Sequence, residues 1–254
     1  RLAAFGYLMD PTASYTLYNG VYGRYGGVLR APMKYVGYKT FDEQGNDNTP
    51  STGNANIEWN TTTGIFTSNP DGNAMGMSGV VNYLNKFGRT GSVPGRYKTY
   101  DPVGELHYEV LRYLQGLSPT PAAISNITDD MKDGYPVFTT WTDPYGGNRS
   151  RTADYSCVRS NIVVIGDINT HDGNHLPSLD LANNIIDINA WRTTVQNFEK
   201  NLSTSYTDGQ GNPQTTGNPN GANNSVPTDT RTSQIMGSAY WAHTHDIRPS
   251  TWSN

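Results

Sequence analysis

The chain has 254 residues and a formal net charge of −4, is only 35% hydrophobic and 16% charged, and is rich in Gly, Asn, Thr, Ser, Pro and its 17 Tyr. That length can bury a substantial core without staples, but the composition implies long polar loops around a modest one. The acidic balance and the lack of a long basic run argue against nucleic acid, because neutralising phosphates needs clustered Lys and Arg. No stretch nears the roughly 18 consecutive apolar residues of a membrane span, and nothing at the start resembles a signal peptide. The single cysteine, Cys157, cannot form an internal disulfide.

The chain opens directly into Leu2-Ala-Ala-Phe-Gly-Tyr-Leu-Met9, which reads as a buried strand and suggests a piece of something longer. Gly26 to Gly37 reads as another strand, placed at an edge or bend because Pro32 removes a ladder donor. Polar turns follow, with a short hairpin joining Asn56-Ile-Glu-Trp59 to Gly64-Ile-Phe-Thr67. Asp42 to Asn48 is acidic and amide-rich, but lacks the alternating oxygen ligands and closing Glu of an EF-hand.

Ser78 to Phe87 has helical spacing at Val80, Val81, Leu84 and Phe87, with Gly88 to close it. A stronger helix opens at Asp101, the natural N-cap, with Pro102 as its first residue and Leu106, Val110, Tyr113 and Leu114 as its buried stripe. His107 falls on its flank. A helix around Ala122 to Met131 and a strand from Pro136 to Trp141 come next. Ile162 to Ile165, an apolar run with no polar alternation, reads as a central strand buried on both faces. Ligand chemistry gathers past the carboxyl ends of such strands, and here that position holds Asp167, Asn169, His171, Asp172 and His175. Ile185, Ile188, Trp191, Val195 and Phe198 then mark another helix. Residues 203–232, almost without apolar side chains, read as a flexible insertion. The last helix, Ser233 to His243, turns Ile235, Met236, Ala239 and Tyr240 inward.

Two histidine pairs, His171 with His175 and His243 with His245, stand near acids and could hold a transition metal. A metal-dependent hydrolase using the His/Asp cluster at 167–175 and 243–245 is therefore one reading. Gly166-Asp167 and Gly173-Asn174-His175 echo the metallophosphoesterase words, but the Asp-x-His that should precede them is missing. If the last helix continued through His243 and His245, they would point to different sides. No Gly-x-Ser-x-Gly elbow and no phosphate loop is present.

Four segments carry a stronger resemblance: Gly26 to Gly37, Tyr100 to Gly116, Cys157 to Pro177, and Ala239-Tyr-Trp-Ala-His-Thr-His-Asp-Ile-Arg-Pro249, the last being the most specific. They resemble the von Willebrand factor A-like region of the type IV pilus tip-associated assembly proteins and adhesins called PilY or PilC. The resemblance implies an α/β fold: a Rossmann-like, mostly parallel sheet with helices on both faces and long polar loop insertions. It makes residues 1–254 a single such domain, a fragment lacking its upstream strand and a downstream β-propeller. It also implies a non-enzymatic extracellular module at the pilus tip or bacterial outer surface. Its partners would be minor pilins and a host or abiotic surface. A divalent cation, calcium or magnesium, would sit above the sheet on Asp101, Asp167 and Asp172. The sequence departs from the family pattern there, with Asp101-Pro-Val for Thr-Pro-Leu and Gly166-Asp167-Ile168 for Thr-Asp-Gly. Asp10-Pro-Thr-Ala-Ser14 stands too late in the chain to be the family's first metal loop.

Overall fold

A computed structural model describes residues 1–8, 27–42, 44–86, 102–145, 159–165, 180–181, 184–199, 204–207, 211–216 and 234–248. The chain divides into two compact units. The first is Arg1–Arg24, Val28–Thr99 and Ile124–Trp141; the second is Tyr25–Gly27, Tyr100–Ala123 and Thr142–Asn254.

In the first unit, strand β1 (Leu2–Tyr7) pairs with β2 (Gly27–Lys34). β2 runs on through Pro32, which suits a two-stranded sheet, since half of a strand's N–H groups face away from its partner. Helix α1 (Val80–Lys86) completes the core, where Val80 and Tyr83 meet Ala4, Ala31 and Tyr135. Leu84, expected on the buried face, is half exposed, and Tyr83 takes that place. Gly6 lets this happen: a Cβ at that position would run into the Tyr83 ring.

A buried cation, Arg30, ties the described part of the unit together. Arg30 is 1% exposed and donates to the carbonyls of Tyr7 (2.5 Å), Lys132 (2.9 Å) and Tyr135 (3.3 Å), with its guanidinium 5.6 Å from the centre of the Tyr83 ring. Three carbonyls and a ring face replace the water it loses. The helix expected around Ala122 to Met131 forms as two short pieces, α3 (Pro121–Ile124) and α4 (Asp129–Lys132). The Thr128 hydroxyl caps α4, and Asp133 ends it in the left-handed region at φ 54°. The strand expected from Pro136 to Trp141 is reduced to one bridge, Phe138 to Leu29.

Between β2 and α1 the expected hairpin is present, with Trp59 bridging Phe66 and backbone bonds Asn60 N to Ile65 O (2.8 Å) and Thr67 N to Glu58 O (2.9 Å). The surrounding turns are built by amides and acids bonding their own backbone. Asn60 Oδ1 accepts from the N–H groups of Thr62 and Thr63, Asn69 Oδ1 from Asn73, and Asn54 Nδ2 donates to the carbonyls of Tyr35 and Gly37. The acidic loop of the EF-hand comparison belongs to this class. Asp42 accepts from the backbone of Gln44 and Asn46 and from the Asn46 amide, while Asp47 pairs with Lys39 at 2.8 Å. The carboxylates of Asp42 and Asp47 are spent on holding the loop.

Under the loops lies Glu58, which is fully buried. Its two oxygens accept from Val80 N (2.8 Å) and Val81 N (2.7 Å) at the start of α1, and Oε1 lies 2.9 Å from Lys34 Nζ, which also pairs with Asp71. One carboxylate thus satisfies two helix-end donors and a lysine, joining hairpin, β2 and α1.

The second unit is mainly helical. α2 (Val103–Leu114) begins after Pro102, which stands at the N-cap rather than inside the helix. It ends in a Schellman motif: Gly116, at φ +76°, donates to Tyr113 O and Leu117 donates to Arg112 O. Burial goes nearly all round α2, and Leu106 and Val110 of the expected stripe are only half-buried. α5 (Ile188–Glu199) starts one turn after the expected Ile185, because Asp187 caps it through Ala190 N at 2.9 Å. Ile185 lies instead in a two-residue antiparallel pair, β3 (Asp180–Leu181) with β4 (Asn184–Ile185). Phe198, assigned to the apolar face, is 75% exposed. Within the stretch read as a flexible insertion, β5 (Thr204–Thr207) and β6 (Pro213–Thr216) form an antiparallel hairpin.

α6 (Gln234–Thr244) buries Gly237, Ser238 and Trp241, a different face from the expected Ile235, Met236, Ala239 and Tyr240. Gly237 is the reason: a Cβ there would strike the Ile188 carbonyl and come within 2.9 Å of Arg192 N. The two helices cross at backbone contact, which only the smallest side chain allows. Ile186, Ile188, Tyr108 and Trp241 form the core beside the crossing.

Ile162 to Ile165 differs from expectation. It forms no strand, and Val163, Val164 and Ile165 are 82%, 48% and 61% exposed. β-branching favours an extended backbone, but a strand exists only where a ladder partner is supplied. Among the described residues the sheets have two strands each. No helix among them is long and apolar enough to cross a membrane.

Candidate functional site at the end of helix α6

Asp101, Asp167 and Asp172, together with His171 and His175, lie outside the described residues. Of the expected ligands, His243 and His245 are described, and among the described residues no group of three or more His, Cys, Asp or Glu side chains comes together. The two histidines part because α6 stops at Thr244. His243 stays on the exposed last turn, while His245 folds back over Trp241.

This fold-back is held by one short network. Thr244 Oγ1 donates to Tyr240 O at 2.8 Å and lies 2.9 Å from His245 Nδ1, which is also 3.1 Å from Trp241 O. A carbonyl can only accept, so Nδ1 donates to it. The imidazole lies 5.7 Å from Trp241, nearly parallel at 13°, and meets Trp191 of α5 edge-on at 4.7 Å. Tyr240 joins Trp191 at 5.8 Å. Trp241 is buried beneath, whereas Tyr240 is 39% exposed and His245 and Asp246 face solvent.

The segment after α6 is anchored from below by Arg248, which is 8% exposed. Its guanidinium grips Asp143 through two parallel bonds of 2.8 and 2.7 Å, Nε donates to Leu114 O at 2.9 Å, and the Tyr145 ring lies under it at 4.7 Å. Gln115 Nε2 donates to Ile247 O, and Asp246 Oδ1 accepts from Arg248 N. A bidentate, stacked arginine of this kind fixes geometry as well as charge. Sequence reading singled out the Ala239 to Pro249 segment but not Arg248 or its partner Asp143, 105 residues away.

α2 buries Glu105, His107 and Glu109. His107 is not on the flank but inside, with Nδ1 2.9 Å from Ser238 Oγ of α6, and burial pushes it down to about 4. Glu109 accepts from Thr120 Oγ1 (2.5 Å) and Thr120 N (3.2 Å); burial pushes it up to about 7, against the pull of those bonds. Both are enclosed, each with a hydroxyl partner.

The chain matches the family described as PilY1 homolog, second domain, over residues 15–238. It is 36% identical over 171 residues to a type IV pilus biogenesis factor PilY1 homolog of Xylella fastidiosa (strain Temecula1 / ATCC 700964). That match covers 60% of this chain and 13% of the relative's length. No solved structure matches. With the family match running through β2, α1, α2 and α5 and into α6, the chain belongs to the PilY1 homolog family, as its second domain.

Proposed function

We propose that the chain is a non-enzymatic, extracellular module of a type IV pilus-associated protein, acting in pilus assembly and in attachment to a surface or partner. The family match over residues 15–238 carries this reading. The architecture agrees with it: His107 and Glu109 inside α2 are each enclosed with a hydroxyl partner, and the exposed loops are stiffened by their own amides. Minor pilins or the pilus tip are its partners in assembly. The von Willebrand factor A-like sheet and a calcium or magnesium ion on Asp101, Asp167 and Asp172 are the finer parts of the same proposal. No step depends on the ion.

The test is an in-frame deletion of this segment from the full-length gene in its native bacterium. Surface pili and twitching should fall sharply, and restoring the segment should recover both. Normal piliation, motility and attachment in the deletion strain would refute the reading. For the ion, millimolar calcium or magnesium should raise the unfolding midpoint of the wild type but not of Asp167→Asn. Equal responses would remove the ion from the proposal.

A further inference from the structure

We propose that half-buried Trp191 with exposed Tyr240 and His245, and Asp246 at their edge, binds a neutral saccharide. Three observations converge. The rings come from α5, α6 and the segment after it, with Tyr240 and His245 lying 5.8 and 4.7 Å from Trp191, so they form one cluster. Their placement is preset: buried Trp241 stacks under His245, the Thr244 network fixes the imidazole, and Arg248 clamps the following backbone to the end of α2. Third, hydrogen-bonding capacity is left over at the rim. Exposed His245 makes no hydrogen bond through Nε2 among the described residues, and Asp246 has a second carboxylate oxygen beyond the one that accepts from Arg248 N.

Ring faces carry negative quadrupoles and attract the C–H faces of a pyranose. The imidazole Nε2 and the carboxylate beside the rings pair with the sugar's hydroxyls. The combination suits a ligand that is apolar on its faces and hydroxylated on its rim. A carboxylate at the edge disfavours an anionic sugar. A stable protein partner would need about 800 Å² on this side, far beyond a few half-exposed rings. Preset rings spend little entropy on binding, so a small ligand can be held. The inference rests on this geometry and not on the pilus assignment, and either can fail without the other.

The test uses the purified chain and a panel of soluble neutral oligosaccharides, cellohexaose, chitohexaose and maltohexaose, with an acidic uronate oligosaccharide as contrast. Binding is read by calorimetry and by tryptophan fluorescence, since Trp191 and Trp241 both report on the cluster. At least one neutral member should bind and shift the emission. Tyr240→Ala and Asp246→Ala should each weaken that binding about five- to tenfold, the scale of one ring or hydrogen-bond contact. Both variants sit on exposed positions, and unchanged circular dichroism and unfolding midpoints show that they fold. Phe41→Ala, an exposed ring in the first unit, should bind as the wild type does. No binding to any neutral member, preference for the acidic one, or undiminished binding by both variants would overturn the proposal.

Discussion

The loops between β2 and α1 and the short segment after α6 are both polar, exposed and rich in side chains that could grip a ligand, yet they use those groups oppositely. In the loops, Asp42, Asn54, Asn60 and Asn69 turn inward onto their own backbone, and Glu58 below them is consumed by two amides and Lys34. After α6, anchoring is delegated to Arg248 and Trp241, which leaves exposed His245 and Asp246 with hydrogen-bonding capacity among the described residues. Polar composition therefore does not locate a site. What locates it is the capacity left over once the backbone has been satisfied.

The largest effect should come from the element on which the loops depend. Glu58→Ala leaves two helix-end N–H groups and a largely buried lysine without their shared acceptor, and should cost about 3–5 kcal/mol in urea unfolding. A loss below about 1 kcal/mol would mean that the loops hold themselves. In the helices, the matching groups are His107 and Glu109, whose effects oppose each other in pH. The folded chain holds the Glu109 proton up to about 7 against an ordinary 4.5, so its contribution falls by ~3 kcal/mol as pH rises across that window. His107, held neutral down to about 4 against an ordinary 6.5, contributes stability that is lost as pH falls across that range. The two nearly cancel. Glu109→Gln should expose a stability that rises from pH 4 to 6.5, and His107→Gln one that falls from pH 4.5 to 7; parallel profiles in thermal scans would contradict this.

Smaller still is Gly237→Ala, which gains about 1 kcal/mol of helix propensity but drives a methyl into the Ile188 carbonyl. The net should be a loss of about 1–3 kcal/mol by chemical unfolding. A more stable variant would show that α5 and α6 do not cross at backbone contact. The smallest effect belongs to Asp42→Ala, which removes one turn's exposed side-chain acceptors and should show as faster amide exchange at Gln44 and Asn46 with the unfolding midpoint almost unchanged.

The same contrast explains what the sequence disclosed. Local signals held: the hairpin around Trp59 and Phe66 and helices α1, α2, α5 and α6 follow from spacing and turn residues. Errors arose where distant partners decide. Hydrophobicity turned Met236 and Tyr240 inward, but a close crossing selects Gly237 and Ser238, residues with no apolar signal. His107 looked peripheral because Ser238, which receives it, lies 131 residues on. Ile162 to Ile165 has the chemistry of a strand, but ladder partners are not written in the run itself. The family segment from Ala239 to Pro249 was legible as a pattern, and its mechanical meaning, Arg248 locked to Asp143, was not.

The most direct test of the contrast is a map of amide NMR shifts as the neutral oligosaccharide that binds is titrated into the chain. Leftover capacity after α6 predicts progressive shifts at Trp191, its indole N–H, and Tyr240 to Asp246, with residues 36–78 unmoved. Shifts confined to those loops, with the α6 end silent, would contradict it.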